Sequence, residues 1–258
     1  MMNLSRVLVY HKVDSRFEWG LTRVTPSRFE QQIVSLLDRG FRLVTLRELC
    51  GHPGDERRIA LTFDDAYESV YHNAFPVLQK YNVHSTLFVV TDFIGRKNSW
   101  DVNYGGRCFR HMTGEQLQEM AAAGHELASH TCTHNTLTEK SRGEIWRELS
   151  VSRQTLKSLV PQQVRYIAYP FARYDQRVLD LTAEAGYAGG CIFMRENPHV
   201  VINGTPLIYR QGVYLHDTSR SVISKVTPGF GFRWQRFQQN LINWAAGGSV
   251  VMKRWRGE

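Results

Sequence analysis

The sequence has no apolar stretch long enough to cross a bilayer. Its longest runs, such as residues 87–90, are a few residues long, against the roughly 20 that a spanning helix needs. The start also lacks the apolar centre of an export signal. Only Val7, Leu8, Val9 and Tyr10 lie between Arg6 and His11, where such a signal carries about 7–15 apolar residues. Cysteine is scarce: Cys50, Cys108, Cys132 and Cys191 are widely spaced and form no C-x-x-C pair, so they read as free thiols in a reducing compartment. The expected location is therefore the cytoplasm or a membrane surface, with a removed leader as the alternative. No repeat or low-complexity linker is visible, and the 20 glycines are scattered, which excludes collagen-like and disordered classes.

What is present is a chain of 258 residues, 42% hydrophobic and 12% aromatic. A chain of this length buries about 70–75% of its unfolded surface and needs no staple to fold. The net charge of +8 is concentrated towards the end. From Arg210 onward eight basic residues face Asp217 and Glu258 alone, a balance of +6, interleaved with Trp234, Trp244 and Trp255. Such an end suits contact with a membrane surface or an anionic glycan, or it is simply a solvated face. No nucleic-acid-binding module is recognisable, so no specific nucleic-acid partner is expected.

Short apolar runs alternate with segments of helical period. Strands are expected at 4–10, 41–44, 59–63, 85–91, 125–129, 164–169, 189–194 and 212–215. Helices are expected at 26–39 (capped by Thr25), 66–81, 115–123 (capped by Thr113), 142–159, 175–185 and 232–246. Alternation of this kind gives parallel strands with crossover helices. About seven such units suggest an α/β barrel rather than an open sheet. Residues 92–111 form the longest irregular stretch and are read as a substrate loop.

Two pairs of residues carry the chemistry. Thr62-Phe63-Asp64-Asp65 places two acids directly after a buried strand, where α/β proteins build their sites. Neighbouring strand residues face opposite ways, so both acids converge only if the chain turns after Asp64; otherwise Asp65 merely caps the next helix. Ser129-His130-Thr131-Cys132-Thr133-His134 also follows a strand, and histidines four apart can share one metal ion. Two histidines and one carboxylate leave open positions, as catalytic metal sites do. The second carboxylate is then free to take a proton from water. Tyr169-Pro170-Phe171 ends a further strand with aromatic groups fit to wall a groove.

Together with Val9-Tyr10-His11-Lys12-Val13, these motifs resemble, in order, the polysaccharide deacetylases of carbohydrate esterase family 4, and in particular their exopolysaccharide-deacetylase subgroup. The similarity runs from about Leu4 to Tyr214. The resemblance implies a distorted (β/α) barrel of seven or eight mostly parallel strands in a single domain, over residues 1–217. Residues 218–258 then form a basic extension with an amphipathic helix. It implies hydrolysis of the N-acetyl amide of an N-acetylhexosamine, in a polysaccharide or a lipid-linked glycan precursor. It also implies one divalent metal, usually zinc, with cobalt or nickel as substitutes. Asp65, His130 and His134 would be ligands and Asp64 the general base. Ala66 and Ala172 stand where the family has glycine, and the arginine of the third motif is missing, which makes Arg210 a candidate partner of the base.

For the general acid, His11 and His216 compete, and His11 is chosen because its Tyr-His context matches the subgroup. Trp100, Asp101, Tyr169, Pro170, Phe171 and Arg210 are the expected substrate-binding residues. Two other readings use the same residues. One is a glycan-binding homologue with an impaired site, suggested by the two alanines. The other is a non-haem iron enzyme, which leaves Asp64 without a role.

Overall fold

The computed structural model describes residues 6–18, 20–99, 108–193, 201–202 and 205–227. Trp100, Asp101 and the helix expected at 232–246 lie outside them. The first half of the chain runs β1 (Val7–Tyr10), β2 (Lys12–Val13), β3 (Arg23–Val24), α1 (Pro26–Asp38), β4 (Arg42–Val44), α2 (Leu46–Gly51), β5 (Arg58–Phe63), α3 (Phe75–Lys80) and β6 (Thr86–Val89). It continues with α4 (Gly114–Ala122), β7 (Glu126–Ser129), α5 (Arg142–Leu159), β8 (Tyr166–Ala168), α6 (Gln176–Glu184), β9 (Gly189–Phe193), β10 (Val201–Ile202), β11 (Thr205–Gly212) and α7 (Ser219–Val226).

Strands β1, β5, β6, β7, β8, β9 and β11 pair in parallel, and β1 closes the ring by pairing with both β11 and β5. The result is a closed barrel of seven parallel strands surrounded by helices, in one domain. β4 joins the first half of β5 from outside the ring, and β10 pairs antiparallel with β11. The helices begin where the sequence offers caps. The Thr25 hydroxyl accepts from the Arg28 N–H, and Thr113 with Gln116 and Ser141 with Glu144 form reciprocal capping boxes. Each satisfies donors that a helix start leaves open, typically worth about 1 kcal/mol.

The period of two along each strand separates two apolar layers. Leu8, Tyr10, Leu61, Phe63, Leu87, Leu127, Ile167 and Ile192 pack outward against the helices. Val7, Ala60, Phe88, Ala128, Tyr166, Ala168 and Cys191 form a second cluster, one or two from each barrel strand except β11, whose half-buried Ile208 packs against it, with Leu46 and Leu49 of α2 beside them. Close approach makes glycine necessary at position 190 in β9, because an added Cβ would overlap the Tyr169 ring. Gly190→Ala should therefore lower stability by about 1–3 kcal/mol through overpacking. An unchanged urea midpoint would show that the ring gives way without cost.

Two expected elements differ. The helix expected from Ala66 starts only at Val70, as a π-turn over Val70–Ala74 that leads into α3. Asp65 and Ala66 hold φ of 67° and 50°, a left-handed pair from which no right-handed helix can start. The last barrel strand is Thr205–Gly212, not 212–215. Pro206 near its start and a charged residue at position 210 hide it, since both are unusual in a central strand.

From β11 to Thr227 the chain stays on the barrel. α7 packs against α1, and Val222, Ile223 and Val226 join the outer apolar layer. Lys225 pairs with the buried Asp217 at 2.9 Å.

Candidate active site

His11 directly follows β1, Asp64 directly follows β5, His130 directly follows β7, and Arg210 lies near the end of β11. Parallel strands bring these ends to one mouth of the barrel. Asp64 and Arg210, 2% and 1% exposed, meet there in a bidentate pair of 2.6 and 2.9 Å. The guanidinium lies 4.7 Å from the Phe88 ring centre and 5.6 Å from that of Phe193, a setting that fixes a planar cation. Burial works to raise the Asp64 carboxyl, but Arg210, His130 and His11 outweigh it and hold it below the usual carboxylate range.

The turn required after Asp64 is present. With φ of 67° at Asp65, the second carboxylate swings to the same mouth, and its Oδ1 lies 3.5 Å from Nε2 of both His130 and His134. The three ligand atoms all lie within 4.8 Å of one another. A tetrahedral ion with bonds of about 2.0–2.2 Å sets its ligand atoms about 3.3–3.6 Å apart, and both distances from Asp65 match that spacing, so these donors could hold a divalent ion. The tautomer fits too. His130 Nδ1 lies 2.8 Å from the Ala168 carbonyl oxygen. A carbonyl only accepts, so Nδ1 carries the proton and Nε2 offers its lone pair. Burial, the largest influence, keeps the His130 ring below its ordinary value and therefore neutral.

Among the candidate acids, His11 is at the site: it follows β1, which lies between β5 and β11, and its ring stacks at 6.4 Å on Phe193, the ring that Arg210 also faces. Burial pushes His11 down to about 4, helped by Lys12 and Arg210 and opposed by Asp64. His216 is exposed and stacks on Tyr214 at 6.1 Å.

The aromatic motif is placed differently from expectation. Tyr169 is 2% exposed, and its hydroxyl donates to Thr182 in the outer layer, so it is a core residue rather than a groove wall. Pro170 is buried as well. Phe171 alone of the three faces the site, edge-on to His134 at 5.0 Å. Arg210, expected among substrate contacts, is instead the partner of Asp64. Ala66 and Ala172 keep the left-handed turns that glycine would hold, at φ of 50° and 53°.

Two residues near the ligands escaped the sequence reading. His111 Nδ1 donates to the Asp65 carbonyl oxygen at 2.6 Å, and the ring stacks on Tyr67. Glu148 reaches from α5 to the backbone between the two histidines. Its sequence signal is phase, since it falls in step with Ile145, Leu149, Ser152 and Leu156 on the buried face of α5.

The family described as polysaccharide deacetylase matches residues 51–190. YxkH of Bacillus subtilis (strain 168) is 30% identical over 189 residues, covering 71% of this chain and 62% of that protein. The poly-beta-1,6-N-acetyl-D-glucosamine N-deacetylase of Staphylococcus aureus (strain MRSA252) is 26% identical over 180 residues, covering 65% of this chain and 60% of that protein. The chain thus spans about 60% of the length of these curated relatives. The structure of IcaB from Ammonifex degensii superposes with a TM-score of 0.66 at 25% identity, covering 89% of this chain and 96% of that one. With the family matched across more than half its length, the chain belongs to the polysaccharide deacetylases.

Proposed function

We propose that the protein removes the acetyl group from an N-acetylhexosamine in a polysaccharide or lipid-linked glycan, by hydrolysis of the amide at a divalent metal held by Asp65, His130 and His134. The observation that carries this reading is the ionised Asp64 immediately beside a fitting set of three ligands. A relative named as an N-deacetylase of a poly-N-acetylglucosamine supports the substrate class. The left-handed turns at Ala66 and Ala172, kept without glycine, favour this reading over an impaired homologue.

A divalent ion in this set supplies Lewis acidity, which polarises an amide carbonyl and makes water a better acid. The rest falls to the chain. Arg210 engages each Asp64 oxygen once, and a carboxylate oxygen has two lone pairs, so Asp64 still has an acceptor position for the proton of the attacking water. Asp64 holds protons less tightly than an ordinary carboxyl and so releases that proton readily to His11. The departing amine needs a proton, because nitrogen leaves poorly as an anion, and His11 supplies it. The resting imidazole is neutral above about pH 4, so the proton that it gives is one that it gains during the cycle.

The direct test is acetate release from β-linked N-acetylglucosamine oligomers by the zinc-loaded chain. Folded, loaded protein that releases none from polymer, oligomer or lipid-linked sugar would overturn the reading. The pH profile should rise on the acid side and stay level between about pH 5 and 8, since Asp64 is already ionised there and His11 already neutral. His11→Ala should lower that plateau by about 10²–10⁴-fold with metal content unchanged. His216→Ala should leave it in place. If the His216 variant alone loses turnover, the proton donor is His216.

A further inference from the structure

The segment from Ser129 to His134 is an improbable piece of backbone. Thr131 and His134 hold φ of 68° and 59°, left-handed conformations that residues other than glycine rarely adopt. Such a loop keeps its shape only where its surroundings over-determine it. The backbone N–H groups of residues 131–134 show how this is done. Thr131 N–H donates to the Ser129 hydroxyl at 3.1 Å, and His134 N–H to the Thr131 hydroxyl at 3.1 Å. The two between them, on Cys132 and Thr133, both donate to one oxygen of Glu148, at 2.8 and 3.0 Å. The other oxygen of Glu148 accepts from the Thr133 hydroxyl at 2.5 Å.

Glu148 is 8% exposed and sits near the middle of α5, a rigid helix of 18 residues. Its three bonds fall on the residues midway between His130 and His134. It is not itself a member of the Asp65, His130 and His134 group. Ser152, one turn further along α5, lies 2.8 Å from the Ser129 hydroxyl and secures the start of the same loop. Charge-assisted bonds to a carboxylate are roughly twice as strong as neutral ones.

We infer that Glu148 is a positioning residue for the metal: it fixes the left-handed loop so that Nε2 of His130 and Nε2 of His134 stand at ligating separation before any ion arrives. The inference rests on the metal site of the proposed function. It adds a helix outside the barrel as the part that presets the site. Without Glu148 one buried and one half-buried N–H donor lose their acceptor and the histidines spread over several geometries, so the ion has to restore the order that the loop has lost.

The test uses cobalt(II) as probe on the full chain, with affinity read by competition against a chelator and geometry by the visible absorption of the bound ion. Glu148→Ala should bind cobalt about 10–100-fold more weakly, the usual loss when the outer support of a metal ligand is removed, and with an altered spectrum. Glu148→Gln should fall between, since its single carbonyl oxygen still accepts from both N–H groups. Thr133→Val removes one bond of the three and should show the smallest loss. It carries the test if Glu148→Ala does not fold. Ile33→Ala, in the outer layer on α1, should destabilise the fold and leave cobalt affinity and spectrum alone. Unchanged affinity and spectrum in the folded Glu148 and Thr133 variants overturn the inference, as does an equal loss in Ile33→Ala. Wild-type protein that binds no cobalt overturns the metal reading as well, which separates the two failures.

Discussion

Asp64→Asn is expected to keep its metal and lose about 10²–10⁴-fold in turnover, the usual worth of a general base. The structure adds a second consequence. Arg210 is almost fully buried, and its two bonds to Asp64 are the charge contacts that hold it there. Removing one partner of a buried ion pair leaves an uncompensated charge and costs about 3–5 kcal/mol. The asparagine oxygen still accepts from one guanidinium nitrogen, so the loss should fall at the lower end of that range. The pH dependence has a definite sign. A carboxyl held below its ordinary value adds stability above the ordinary carboxylate range, and that contribution disappears as pH falls through the lowered value. Asp64→Asn should therefore be less stable at neutral pH and lose part of the wild-type decline in acid. Metal content, acetate release and urea midpoints on one preparation check all three. If Asp64→Asn loses the metal while Asp65→Asn keeps it, the two carboxylates have exchanged roles.

Much of this site is legible in the sequence for a simple reason. Its base and two of its ligands lie directly after strands, and strand ends are where apolar runs stop abruptly at polar residues. Asp64, Asp65 and His130 occupy such positions, His134 follows on the loop that His130 opens, and the helix-to-strand rhythm already calls for a barrel that gathers them. Contacts across the closure were harder to see. Arg210 is 146 positions from Asp64, and only the pairing of β1 with both β5 and β11 makes them neighbours. The sequence named Arg210 as a candidate partner of the base, yet also grouped it with substrate contacts, because nothing local says which way it faces.

Backbone conformation was the other gap. The residues around Ala66 have helical periodicity, and the left-handed pair at Asp65 and Ala66 that delays the helix has no glycine to announce it. Tyr169 illustrates a third gap. Its place beside Phe171 suggests a shared wall, yet β8 ends at Ala168 and Pro170–Ala172 is a 3₁₀ turn with a left-handed φ of 56° at Phe171, so one ring turns into the outer layer and the other towards His134.

His134→Ala should remove metal and activity together while leaving the fold intact. His134 stands on the loop after β7, outside both apolar layers, so its loss opens no cavity in either. Alanine is also tolerated in left-handed turns of this protein, at Ala66 and Ala172, so the substitution need not deform the loop. What disappears is one of three converging donors, leaving Asp65 and His130 as a two-point site with most of the ion's coordination open to water. The signature is thermodynamic as well as catalytic. An ion that binds only the folded chain stabilises it by about 4 kcal/mol at a concentration 1,000 times its Kd, so zinc should raise the melting temperature of chelator-treated wild-type protein and restore its acetate release. In His134→Ala the same addition should do neither, while the melting temperature without metal stays close to that of the metal-free wild type. Metal analysis after gel filtration, together with melting curves in zinc and in chelator, reads both effects. A variant that retains one equivalent of metal and the zinc-dependent rise would remove His134 from the ligand set and require a different third donor beside Asp65 and His130.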